Sequence, residues 1–127
     1  MYRPIAVTLF ALSCLAISGC RDSHDKVVQD YIAELRNMVN VLEGIETAED
    51  AEKEKSDLKA IVEKLKTITR RKETLGVPDP AFEKTLQDKY GKQHHQSVTK
   101  LLDALMKIPI RVRMNVQEVT KDIPELY

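Results

Sequence analysis

Few residues in this 127-residue chain have side chains suited to metal or covalent chemistry. The histidines are His24, His94 and His95, and the cysteines are Cys14 and Cys20. The adjacent pair His94 and His95 invites a metal reading. Neighbouring residues on a helix project about 100° apart, so the two imidazoles diverge rather than converge on one ion. Chelating pairs on a helix stand four residues apart, or place a carboxylate in step. Four positions from His94 are Tyr90 and Val98, and four from His95 are Gly91 and Thr99, none of them a good ligand. These histidines are expected on a solvated surface, with no metal site. Ser97 lies near His94, but no acid is placed to orient the histidine as a catalytic base. No Cys-x-x-Cys-His is present, and beyond residue 20 the glycines are Gly44, Gly76 and Gly91, too dispersed for a phosphate loop. No catalytic residue and no cofactor site is expected, and the chain reads as a non-enzyme.

The cysteines remain. Arg3 is the one charge in residues 1–19, and a mostly apolar run follows from Ile5 to Ile17. A bilayer-spanning helix needs about 20 apolar residues, so this shorter run reads as a secretion signal rather than a permanent span. It stops at Ser18 and Gly19, directly before Cys20. The stretch Ile17-Ser18-Gly19-Cys20 resembles the lipobox of bacterial lipoproteins. That resemblance implies a signal peptide over 1–19, cut between Gly19 and Cys20. It implies a diacylglyceryl thioether on Cys20 and an acylated new N-terminus. The thiol is the nucleophile, and small residues before it let a peptidase reach the backbone. Arg21 follows the cysteine, where an aspartate would retain a Gram-negative lipoprotein in the inner membrane. The resemblance therefore implies a periplasm-facing, membrane-anchored protein, outer membrane favoured over inner. The alternative is an ordinary secretory signal with an incidental cysteine.

With Cys14 removed and Cys20 acylated, the remaining domain has neither a free thiol nor a disulfide, and its apolar core alone must hold it. The length allows one domain. Beyond residue 19 there are 19 basic and 20 acidic residues, a balance with no drive towards nucleic acid. The aromatics Tyr31, Phe82, Tyr90 and Tyr127 are too sparse to stack bases.

Helices have to carry whatever function remains. Apolar residues at Val28, Tyr31, Leu35, Met38, Leu42 and Ile45 alternate by three and four, one face of a helix. Asp22 or Ser23 is placed to cap it, and Gly44 to end it in a left-handed turn. Thr47 is expected to cap a second helix with the stripe Ala51, Leu58, Ile61, Leu65, Ile68 and Leu75. Glu49 with Lys53, and Lys59 with Glu63, are spaced for ion pairs on its solvated face, so the charge run 49–59 needs no ligand. Gly76, Pro78 and Pro80 close that helix. Asp79 opens a third, with Pro80 at the first helical position and the stripe Phe82, Leu86, Tyr90, Val98, Leu101, Leu105 and Ile108. Residues 91–96 should pack more weakly, and Pro109 should kink or end the helix. Beyond it Ile110, Val112, Met114 and Val116 alternate like a strand, whereas Val112, Val116, Val119, Ile123 and Leu126 fit a helix ending near Pro124. Helix is favoured, because a lone strand has no partner. Met38, Met106 and Met114 read as core filler.

The expected fold is all-α, an antiparallel bundle of three long helices with a short C-terminal fourth element. Residues 20–26 would be the lipidated N-terminus and a short tether, and 27–127 the bundle. The expected function is a membrane-anchored envelope lipoprotein with a helical protein-interaction or spacer domain. The alternative is a periplasmic chaperone or stress sensor that binds unfolded clients. Helical chaperones of that kind carry Leu-Thr-x-x-Gln motifs, and this sequence has none. Expected partners are the membrane, through acyl chains on Cys20, and a protein that the residues do not identify.

Overall fold

A computed structural model describes residues 22–126. The expected signal segment 1–19, Cys20, Arg21 and Tyr127 lie outside the described residues. Four helices form: α1 (His24–Glu43), α2 (Ala48–Leu75), α3 (Pro80–Lys107) and α4 (Ile110–Thr120). The described residues contain no strand. The fold is the all-α bundle expected, and the helical alternative for the tail is the one observed.

Local chemistry explains where each helix starts. The Ser23 hydroxyl accepts from the Lys26 N–H. Thr47 and Asp50 form a reciprocal capping box, each side chain accepting from the other's backbone N–H at 3.1 and 2.9 Å. The Asp79 carboxylate accepts from Ala81 and Phe82 N–H, with Pro80 at the first helical position. Because α1 starts at His24, residues 24–26 form its first turn and do not belong to a tether. Gly44 is not left-handed as expected, with φ −85. Its N–H bonds back to the Val41 carbonyl, so the chain leaves α1 through an ordinary tight turn. Gly76, at φ 78, is the one glycine among the described residues that uses its freedom from Cβ.

Helix α1 is the centre of the bundle. Both α2 and α3 pack on it, and α4 packs on α2. This position explains its composition. Besides the expected stripe, Val27, Ile32 and Val39 are also buried, because a helix with neighbours on two sides needs a wider apolar arc. Along α3 the buried positions are Leu86, Tyr90, Ser97, Leu101 and Ala104. His94 fills the missing step of this series and is half-buried, not solvated as expected. Phe82, expected in the core, is 40% exposed in the first turn.

After Thr120 the chain leaves the helix and runs back to the end where α1 begins. There Leu126 is buried, the Tyr31 hydroxyl donates to the Pro124 carbonyl at 2.7 Å, and Lys72 Nζ donates to the Leu126 carbonyl. Leu126 thus joins the core from an irregular tail rather than from the helix expected to end at Pro124.

Two polar clasps lock α1 to its neighbours. The Arg71 guanidinium, from α2, donates to both oxygens of Asp22 at 2.8 and 2.6 Å and to Asp30 at 2.8 Å. On the other side Tyr90 and Lys89, from α3, donate to Asp25 at 2.7 and 3.1 Å. The expected pair Glu49–Lys53 forms at 3.0 Å, but Glu63 pairs with Lys66 at 2.9 Å rather than with Lys59.

The clasps set an acid response. Arg71 holds the Asp22 carboxyl below the usual carboxylate range, chiefly by hydrogen bonding, and the Tyr90 hydroxyl does most to hold Asp25 down. Released by unfolding, both would titrate near the ordinary value of about 3.9. The unfolded chain then takes up protons that the folded chain refuses. This stabilisation is whole above about pH 5 and is lost as pH falls through the ordinary carboxylate range towards the lower folded values. Melting temperatures across this range should show the decline, and Asp22→Asn should make it shallower. An unchanged slope would mean that the Asp22 clasp adds no stability.

Candidate protein-docking surface

The residues that stand out are on the corner between α3 and α4. Leu102 and Met106 lie one turn apart on α3, and Ile110 and Met114 one turn apart on α4. Their exposures run from 56% for Leu102 to 72% for Ile110. Met106 and Met114 are therefore not core filler, whereas Met38 is fully buried. Isolated exposed apolar residues are ordinary, but several large ones at one corner mark a contact surface.

The local sequence builds this corner. Pro109 cannot continue α3, and it holds Ile108 extended, at ψ 132. The Ile108 side chain turns inward and is buried, which roots the turn in the core. The last carbonyls of a helix have no partner within it. Arg113 supplies one from α4: its guanidinium donates to the Met106 carbonyl at 2.6 Å and to the Ile108 carbonyl at 3.0 Å. A cation at the negative end of the α3 dipole is favourable in itself. The same guanidinium reaches Met106 Sδ at 3.7 Å and so positions that side chain. Arg111 and Arg113 stand between Ile110 and Met114 in the sequence of α4, whereas Lys100, Asp103 and Lys107 line the groove between α3 and α1.

The other candidates resolve into structural roles. His94 faces Tyr31, with ring centroids 5.8 Å apart, while His95 is exposed, so the pair diverges as its spacing requires. Burial first, and then the charge of His95, push the His94 imidazole below its ordinary value. His24 packs against Phe82 at 6.2 Å, at the opposite end of the bundle from the α3–α4 corner. Among the described residues no three His, Cys, Asp or Glu side chains are grouped as metal ligands. The Ser97 hydroxyl donates to the Gln93 carbonyl at 2.8 Å, within its own helix. A cavity of about 220 Å³ lies between α1 and α3, lined in part by Val28, Leu86, Tyr90 and His94. Its Tyr90 hydroxyl is committed to Asp25. No described helix is long and apolar enough to cross a membrane.

The sequence does hold a signal for the corner. Leu101-Leu102 and Leu105-Met106 are adjacent apolar pairs, and the second member of each falls off the buried stripe. The chain matches no family model, no curated protein and no solved structure.

Proposed function

We propose that this chain is an envelope lipoprotein, anchored through acyl chains on Cys20, whose helical domain docks a protein partner at the α3–α4 corner and catalyses no reaction. The observation that carries the docking is the exposed set Leu102, Met106, Ile110 and Met114 on a rigid turn. An exposed apolar set of this kind calls for a partner with a complementary apolar ridge. The anchor is supported by Ile17-Ser18-Gly19-Cys20 behind a short apolar run. It places the domain on the periplasmic side, with Arg21 favouring the outer membrane. From Phe82 to Met106 a helix rises about 36 Å, so an anchor near the start of α1 leaves the corner clear of the lipid.

A second reading draws on the two methionines. Flexible, polarisable methionine surfaces suit varied apolar ligands, as binding of unfolded clients requires.

One experiment bears on all of this. A photo-crosslinker replaces Met106 in the full chain within its native membrane, with Lys53 as a control position. One discrete adduct at 106, lost with Ile110→Glu, supports a single partner. A broad smear at 106 supports client binding. No adduct above the control removes the docking reading. In parallel, Cys20→Ala should abolish fatty-acid labelling, and labelling that survives the substitution removes the lipoprotein reading.

A further inference from the structure

We propose that the end of the bundle formed by the start of α1 and the α2–α3 loop rests on the lipid interface, with Val77 and Phe82 inserted among neutral, zwitterionic headgroups. This rests on the proposed acylation of Cys20.

The length of free chain constrains the geometry first. Arg71 grips both oxygens of Asp22, so Asp22 is fixed to the end of α2. Cys20 stands two positions earlier, and two residues reach about 7 Å at full extension. Acyl chains on Cys20 therefore enter the bilayer close beside this clasp. The domain has no long tether on which to hang away from the surface.

The exposed side chains at that end are of the type that inserts. Val77 is 94% exposed, the most exposed large apolar residue described. Its loop projects because Gly76 turns at φ 78 and Pro78 stiffens the exit. Phe82 presents its ring from the first turn of α3 and meets His24, the first residue of α1, edge-on. The apolar pair and the anchor thus share one end. Apolar side chains buried at the interface add to binding in proportion to the area they bury.

Charge selects the lipid. Around the loop, Lys72 and Lys84 stand among Glu73, Asp79, Glu83 and Glu125. Attraction to anionic lipid needs a cluster of basic residues, and this mixture is not one. At the other end, the α1–α2 turn offers Glu46 and Glu49, which do not insert.

The test uses the full, processed chain in phosphatidylcholine vesicles. Cys14 leaves with the signal segment and Cys20 is acylated, so Val77→Cys and Glu46→Cys each give one free thiol for an environment-sensitive fluorophore. At 77 the emission should shift to the blue and be quenched by a nitroxide carried on the lipid. At 46 the label should behave as in water. Phe82→Asp should lessen quenching at 77 without changing helicity or acylation. A label at 77 that stays in water overturns the proposal, as does a shift that appears only at high protein density, which would mean a second copy covers the loop. Fatty acid measured on Cys20 separates the failures. If it is present, the anchor stands and the end-on contact falls; if it is absent, both fall.

Discussion

Leu35→Ala and Leu65→Ala should each destabilise the described domain by about 2–5 kcal/mol. Both side chains are fully enclosed, Leu35 on the central helix and Leu65 on α2 where it faces that helix. Removing three heavy atoms from either leaves a hole that rigid helices close only in part. The whole domain is expected to hold no more than about 5–15 kcal/mol. Its described residues include no cysteine to form a disulfide that would limit the loss. Each variant should melt roughly 8 °C or more below the parent, still in one cooperative step. The two positions lie on different helices but share one core, so the double variant should depart from additivity. Melts unchanged at both positions would mean that the interface between α1 and α2 is wrongly placed.

Leu126→Ala should cost a similar amount, about 2–4 kcal/mol, although the residue lies outside any helix. A residue of an irregular terminal segment would ordinarily be neutral to truncation. Leu126 differs because it is buried at the end of the bundle, with Tyr31 and Lys72 bonded to the tail on either side of it. Tyr31→Phe isolates one of those bonds and should cost only about 1 kcal/mol. The ratio separates apolar docking of the tail from its hydrogen bonding. Equal small losses at both positions would show a tail that lies on the surface without contributing to the core. Hydrogen exchange at the amides of α1 near Tyr31 should accelerate in Leu126→Ala, because the docked tail shields that turn.

What the sequence disclosed depended on how local the cause was. The starts of all three long helices were legible because Ser23, Thr47 and Asp79 cap the turns that follow them, and capping is settled within three residues. The stripes of α1 and α2 were legible because one buried face repeats every three or four residues. The second face of α1, with Val27, Ile32 and Val39, was not, since nothing in a helix reports how many neighbours it has. Methionine made the same point in reverse. Met38 and Met106 both occupy apolar helical settings, yet only Met38 meets a partner helix. For the candidate surface the sequence held only the adjacent pairs Leu101-Leu102 and Leu105-Met106, and which member stays bare depends on which helices are absent from that corner. His94 was misplaced because polarity suggested solvent, while register put it in the stripe. The choice by Glu63 of Lys66 over Lys59 turns on rotamers, and spacing alone allowed both. The proposed anchor rests on a motif of four residues, Ile17-Ser18-Gly19-Cys20, which lies outside the described residues.

The docked tail also governs the order in which this chain can become a protein. Tyr31 and Pro124 are 93 positions apart, yet they share a hydrogen bond beside the buried Leu126. A ribosome adds about 5–20 residues per second, so the first helix exists for roughly 5–20 s before its last neighbour is made. During that interval α1 has eight apolar side chains that no completed core covers. Contacts so distant along the chain also slow the closing step itself. A chain of this design stays open while it is being synthesised. That property would suit the exported lipoprotein proposed above, which would thread through a membrane before it folds.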